Sequence, residues 1–232
     1  MALNLSDSQR MSTPARRYDL LIFDWDGTLS DSAGLIVGSM QAAIVELGLP
    51  PRTDTQIAQL IGLGLHEGMQ LLYPDIPPDE TIRLLMGYRA RFVGAGDREA
   101  PLFTGALDAL TLLAGDGHFL AVATGKSRKG LDRSLKHHHA LRPLFHATRT
   151  ADETANKPDP LMLKELIEEL DVPIERALMI GDTEYDAAMA RAIGMPMLGV
   201  TCGVHEPQRL LDAGALALVE SVAAVRPWLL RV

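Results

Sequence analysis

The sequence predicts an α/β fold, a doubly wound parallel sheet with a helical cap domain inserted after its first strand. Short apolar runs that end in polar clusters and lead into helical patterns recur along the chain, as parallel strands buried on both faces do. Strand and helix patterns alternate, which is how linked βαβ units read in sequence. Finally, roughly 95 residues separate the first two strands, where an ordinary βα connection takes about 2–6 before its helix.

The elements follow in order. The first strand is expected at residues 19–23, where an apolar run closes on Asp24, Trp25, Asp26 and Gly27. In the long gap, Ile36, Met40, Ala43, Ile44 and Leu47 keep helical spacing. So do Ile82, Leu85, Met86, Phe92 and Val93, with Asp79 placed to cap that helix. No strand alternation competes, so residues 31–100 read as a helical cap domain and residues 18–30 with 101–232 as the α/β core. Further strands are expected at 119–123, 145–148, 177–180 and 197–200. Helices are expected at 104–114, 128–138, 160–170 and 183–193, the last stopped by Gly194 and Pro196. Residues 1–17 are mixed and polar and read as a loose tail. The 232 residues exceed a usual single domain by about half, and a core plus an inserted cap accounts for the excess.

Composition narrows the function classes. Hydrophobic residues make up 47% and charged residues 22%, enough for a sizeable core and unlike a disordered chain. The 22 Lys and Arg against 30 Asp and Glu leave a net charge of −8, the opposite of a chain that neutralises nucleic-acid phosphates. The longest apolar runs, at 119–123 and 215–219, are five residues, far short of the ~18 that span a bilayer. The start of the chain carries no apolar core of a secretory signal, and the single Cys202 cannot form an internal disulfide. A cytoplasmic protein without nucleic-acid or membrane partners is expected, as monomer or homodimer.

Candidate chemistry gathers at the strand ends, where open α/β sheets bind ligands. Asp24 and Asp26 stand one residue apart after the first strand, so both carboxylates can share one face while Trp25 packs away. Thr124 and Gly125 end the second strand just before a helix, a place suited to an oxyanion. Lys157, between Asn156 and Pro158, stands at the mouth of the helix that follows the third strand and could neutralise a phosphate. Gly181 and Asp182 close the fourth strand, with Asp186 four residues beyond Asp182. Hard cations such as Mg²⁺ take oxygen ligands from carboxylates, substrate phosphate and water, and this set supplies the carboxylates.

Four motifs in this order closely resemble the haloacid dehalogenase superfamily of aspartate-nucleophile phosphatases: the D-x-D-G-T run at Asp24–Thr28, the hydroxyl at Thr124, the lysine at Lys157 and the G-D-x-x-x-D run at Gly181–Asp186. The insertion looks like a cap of that superfamily, and the sequence is most similar to phosphoglycolate phosphatase-like members. The resemblance implies a Mg²⁺-dependent phosphatase for a small phosphorylated metabolite. In it Asp24 attacks phosphorus, and Asp26 protonates the leaving alcohol and then activates water. It implies magnesium on the Asp24 side chain, the Asp26 backbone carbonyl and Asp182, with Asp186 as ligand or supporting partner, and phosphate oxygens on Thr124, Gly125 and Lys157. The presence of Asp26 disfavours halide displacement. A pyrophosphatase or phosphosugar mutase of the same superfamily, and a non-catalytic phospho-acceptor module, are the alternatives.

Several residues carry a structural reading beside the functional one. Thr183 and Asp186 resemble a helix-capping box. Lys126 either meets phosphate or shapes its turn. Arg89 falls on the apolar face marked by Ile82, Leu85 and Met86, where it snorkels or reaches substrate. Arg52, Glu67 and Arg91 are further candidates for substrate choice in the cap. His137–His139 read as a solvated helix end, and Cys202 as a packed thiol.

Overall fold

Six strands, each buried or half-buried, form one parallel sheet: β1 (Leu20–Phe23), β2 (Phe119–Thr124), β3 (Ala147–Thr150), β4 (Ala177–Gly181), β5 (Met197–Val200) and β6 (Ala217–Val219). The computed structural model describes residues 16–94 and 99–232. The strand order is β3-β2-β1-β4-β5-β6, so the chain builds outward from β1 on one side, then returns to its other side. Leu20 pairs in register with Phe119 on one neighbour and Ala177 on the other. The switch point of the doubly wound sheet thus lies between β1 and β4, with its crevice at their carboxyl ends.

Alternation along the strands divides the core into two layers. Leu21, Phe23, Val122, Leu178 and Ile180 face α5 (Ala106–Gly115), α6 (Arg128–His137) and α10 (Val225–Leu229). Leu20, Ile22, Ala121, Ala177 and Met179 face α7 (Leu161–Glu169), α8 (Glu184–Arg191) and α9 (Pro207–Ala213). Each β1 side chain is fully buried on one face or the other, which explains its uninterrupted apolar run.

Between β1 and β2 lie α1 (Ala33–Glu46), α2 (Asp54–Ala58), α3 (Leu65–Leu72) and α4 (Pro78–Gly94). They enclose a separate apolar cluster of Met40, Ile44, Ile57, Met69, Leu84 and Tyr88, among others. The segments that leave and re-enter the sheet run side by side. Asp31 N–H donates to the Pro101 carbonyl at 2.8 Å and Phe103 N–H to that of Leu29 at 3.0 Å.

The structure corrects several expectations. Helix α4 buries Leu84, Leu85 and Tyr88, while Ile82 and Met86 are exposed. The inward row is 84, 88 and 92, one turn apart each, and it carries the larger aromatic surface. The helix begins at Pro78, a residue suited to a first helical position, so Asp79 sits inside the first turn instead of capping it. Helices α2, α3, α9 and α10 and strand β6 are not among the expected elements; β6 coincides with the apolar run at 215–219. Strand β3 starts at Ala147, two residues late, because a 3₁₀ turn at Arg142–Leu144 precedes it. The expected tail lies outside the described residues except for Arg16 and Arg17, and Arg16 is fastened to the Asp116 carbonyl. The Val93 side chain and residues 95–98 of the expected cap also lie outside them.

Candidate active site

The backbone beyond β1 stays beside β4 for one more residue, since Asp24 N–H donates to the Ile180 carbonyl at 2.9 Å. That places the Asp24 carboxylate at the switch point, almost fully buried. Trp25 turns into the apolar layer below, and Asp26 returns to the same cavity as Asp24, as the one-residue spacing predicts. Gly27 then takes φ +84°, and a Cβ there would collide with the Asp182 carboxylate. This turn lets the chain pass against Asp182, whose Oδ1 accepts from Thr28 Oγ1 at 2.7 Å and whose Oδ2 accepts from Val204 N–H at 2.9 Å.

Asp186 uses its two oxygens differently. Oδ2 accepts from Thr183 N–H at 3.1 Å and Thr183 Oγ1 at 2.7 Å, and Thr183 Oγ1 accepts from Asp186 N–H, completing a capping box at the start of α8. Oδ1 faces the site. There Lys157 Nζ lies 2.7 Å from Asp186 Oδ1 and 2.7 Å from Asp24 Oδ1, all three side chains buried. Lys157, three residues before the Pro160 cap of α7, thus points inward and neutralises carboxylates.

Three buried carboxylates against one ammonium leave strain that shows in their proton affinities. Burial raises the Asp24 pKa well above the usual carboxylate range, Lys157 opposes this, and Asp186 and Asp182 reinforce it. Burial and the neighbouring Asp186 push Asp182 up to about 7. For Lys157, burial would lower the pKa, but Asp186 and Asp24 overcome it and hold the ammonium charged. Both Asp24 oxygens and Asp186 Oδ1 are buried with no hydrogen bond of acceptable geometry, although the ammonium is close. Asp24, Asp182 and Asp186 each offer an oxygen within 4.8 Å of the others. Hard oxygen donors with unmatched lone pairs and surplus negative charge suit Mg²⁺, so the residues present fit the metal.

Asp26 sits at the edge of this cluster. Its Oδ1 accepts from Ser32 Oγ at 2.6 Å and lies 2.9 Å from Lys126 Nζ, which is also 5.2 Å from the centre of the Phe92 ring. Neither Ser32 nor the Lys126–Asp26 pair was foreseen from the sequence; both join residues through the fold. Thr124, buried at the end of β2, accepts from Lys126 N–H at 3.2 Å, which shapes the turn. Gly125 meets the insertion: a Cβ there would stand 2.7 Å from the carbonyls of Gly62 and Leu63.

The remaining candidates separate. Arg89 is exposed and lines the mouth of the cavity. Arg52 lies away from it, with its guanidinium 4.0 Å above the Tyr73 ring and its Nε donating to the Leu72 carbonyl at 2.9 Å, so packing within the insertion occupies it. Glu67 accepts from Asn156 Nδ2 and joins the insertion to the loop that carries Lys157. Arg91 pairs with Glu46 between α1 and α4. His138 is partly buried with Nε2 on the Ala100 carbonyl at 2.9 Å, so only the outer two histidines of that run are exposed. Burial raises the Cys202 thiol to about 11, as for a packed thiol.

A doubly wound sheet with buried carboxylates at its switch point and helices inserted directly after β1 defines a class of hydrolase. The family model described as haloacid dehalogenase-like hydrolase matches residues 21–200, and the chain belongs to that family. It is 32% identical over 210 residues to the probable phosphatase IndB of Dickeya dadantii, covering 89% of this chain and 91% of that one. It is 30% identical over 219 residues to a phosphoglycolate phosphatase of Agrobacterium fabrum, covering 90% and 91%. A crystal structure of a haloacid dehalogenase-like hydrolase from Bacteroides fragilis superposes with a TM-score of 0.83 at 27% identity, covering 90% of this chain and 99% of that one. Among the described residues no helix is long and apolar enough to cross a membrane.

Proposed function

We propose that the chain is a Mg²⁺-dependent phosphatase that hydrolyses small phosphate monoesters through an aspartyl-phosphate on Asp24. The observation that carries this reading is the pairing of Asp24, buried with both oxygens free of hydrogen bonds and 2.7 Å from Lys157, with Asp26 on the same cavity. Relatives named as phosphatases support it. Asp24, Asp182, Asp186 and the Asp26 backbone carbonyl would hold Mg²⁺, which when bound supplies the positive charge that keeps Asp24 ionised and offsets that of the substrate phosphate.

The chain's own groups then do the rest. An Asp24 carboxylate oxygen bonds to phosphorus as the bond to the alcohol oxygen breaks, and Asp26 gives that oxygen its proton. In the second step Asp26 takes a proton from water, the water oxygen bonds to phosphorus, and Asp24 leaves as a carboxylate. Lys157, already against Asp24, offsets charge on the transferring phosphoryl group, and Thr124 with the turn at Gly125 receives its oxygens. Lys126 steadies the ionised form of Asp26 between the two steps. The helical insertion acts as a cap over this chemistry.

Phosphate release from 4-nitrophenyl phosphate and 2-phosphoglycolate, with Mg²⁺ and with EDTA, tests the reading. Activity is expected only with the metal, and Asp24→Asn and Asp26→Asn are each expected to lose at least about a hundredfold. Turnover that survives EDTA and Asp24→Asn would refute the mechanism, and a stable phospho-protein without phosphate release would favour an acceptor module.

A further inference from the structure

The cavity that opens over Asp24 has a volume of about 670 Å³. That lies within the ~300–1,000 Å³ of sites that enclose drug-sized ligands, far beyond the two-carbon body of phosphoglycolate. One end is polar, with Asp24, Asp26 and Thr124. The face that the insertion turns to it is not: Ile36, Met40, Leu60, Met69, Tyr88 and Phe92 line the space from α1, α3, α4 and the turn after α2.

The space is held open by specific contacts. The Gly62 and Leu63 carbonyls rest on Gly125, where no side chain would fit. The Gln59 carbonyl accepts from Tyr185 Oη at 2.9 Å and lies 3.1 Å from His205 Nε2. Glu67 and Asn156 join on another edge. These contacts fix the insertion at a distance from β2 and β4 that leaves its apolar face across a gap from the polar strand ends.

A second carboxylate in the substrate would need a cation on those walls. Among the described lining residues, Lys126 is paired with Asp26, and Arg133 is paired with Glu99 at 2.9 Å and lies over Phe92. Arg89 and Lys129 are exposed at the rim. Beyond the Lys126–Asp26 pair, the insertion's side of the cavity thus offers stacking and apolar contact, and water there makes poor hydrogen bonds.

Resting on the phosphatase reading above, we infer that the substrate is a phosphate monoester whose alcohol carries a bulky apolar or aromatic body, seated against Leu60, Tyr88 and Phe92, and not a small phosphorylated acid. The leaving group fills the cavity while its phosphate reaches Asp24.

Straight-chain alkyl phosphates test this cleanly, because the alcohol leaving-group acidity hardly changes from butyl to octyl while apolar area grows. With Mg²⁺ present, kcat/KM is expected to rise about fourfold for each added methylene until the cavity is full, and hexyl phosphate to exceed 2-phosphoglycolate by at least about tenfold. Leu60→Gln and Ile36→Gln should each lower the hexyl-to-ethyl ratio about tenfold, a quantity from which any general loss of activity divides out. Thermal unfolding of both variants verifies that they fold. A flat or falling profile, or a preference for 2-phosphoglycolate, overturns the inference and leaves the phosphatase reading standing. Failure to release phosphate from every ester, 4-nitrophenyl phosphate included, overturns both.

Discussion

At Asp186 one carboxylate does two jobs that substitution can separate. Oδ2 belongs to the capping box of α8 and Oδ1 to the charge cluster with Lys157. Thr183→Ala removes the hydroxyl that accepts from Asp186 N–H and should cost about 1 kcal/mol of stability while leaving Mg²⁺ affinity within about twofold. Asp186→Asn keeps an acceptor oxygen for Thr183 N–H but removes the charge, and should weaken Mg²⁺ at least about tenfold with a smaller loss of stability. Urea unfolding and calorimetric Mg²⁺ titration of the two variants give the comparison. If both lower the same quantity in the same proportion, the division of labour between the oxygens is wrong. The sequence alone leaves capping and metal contact as rivals, because its spacing shows which residue is present but not which oxygen points where.

At the level of elements, the first turn of α8 is tied to the insertion through His205. Its Nδ1 accepts from Glu184 N–H at 3.1 Å and its Nε2 lies 3.1 Å from the Gln59 carbonyl, an arrangement that suits the neutral ring with its proton on Nε2. Burial lowers the His205 pKa from 6.5. The folded state therefore disfavours the proton. Its contribution is fully present above pH 6.5 and is lost as pH falls through the lower folded value. Stability should drop as pH falls below 6.5, and His205→Gln should flatten that part of the profile, measured as the urea midpoint at each pH. An unchanged slope in the variant would assign the acid sensitivity elsewhere. The same contact shows where sequence reading stops. Strands β1, β2, β4 and β5 are legible because each is a short apolar run buried on both faces, and Asp24, Thr124 and Asp182 are legible because they end those runs. Helices α2 and α3 are not, since they are short and the turn that separates them carries Gly62 and Gly64. The phase of α4 misleads because Ile82 and Met86 are as apolar as the buried Leu84, and only contact with α1 decides which row turns inward. Pairs such as Lys126 with Asp26 or Gln59 with His205 depend on how the insertion is docked, which no local pattern encodes.

For the whole molecule, the decisive feature is that, among the described residues, the insertion shares no buried apolar cluster with the sheet. Among the described residues its apolar cluster draws on residues 36–92, whereas the two layers around the sheet draw on residues 18–29 and 102–229. The two parts meet through the paired connecting segments at Asp31 and Pro101, a few polar contacts and the walls of the active-site cavity. Cooperative unfolding follows shared buried contacts, so we propose that the insertion forms its own stability unit, able to open while the sheet persists. Leu84→Ala removes a fully buried side chain at the centre of the insertion and should cost that unit about 2–5 kcal/mol. Hydrogen exchange read by mass spectrometry should then quicken in peptides from α1 to α4 and stay unchanged in β1, β2 and β4. Leu178→Ala, in the sheet, should quicken exchange in both parts, because the connecting segments that anchor the insertion belong to the sheet's end of the molecule. Equal quickening of sheet and insertion in Leu84→Ala would instead make the chain one cooperative unit.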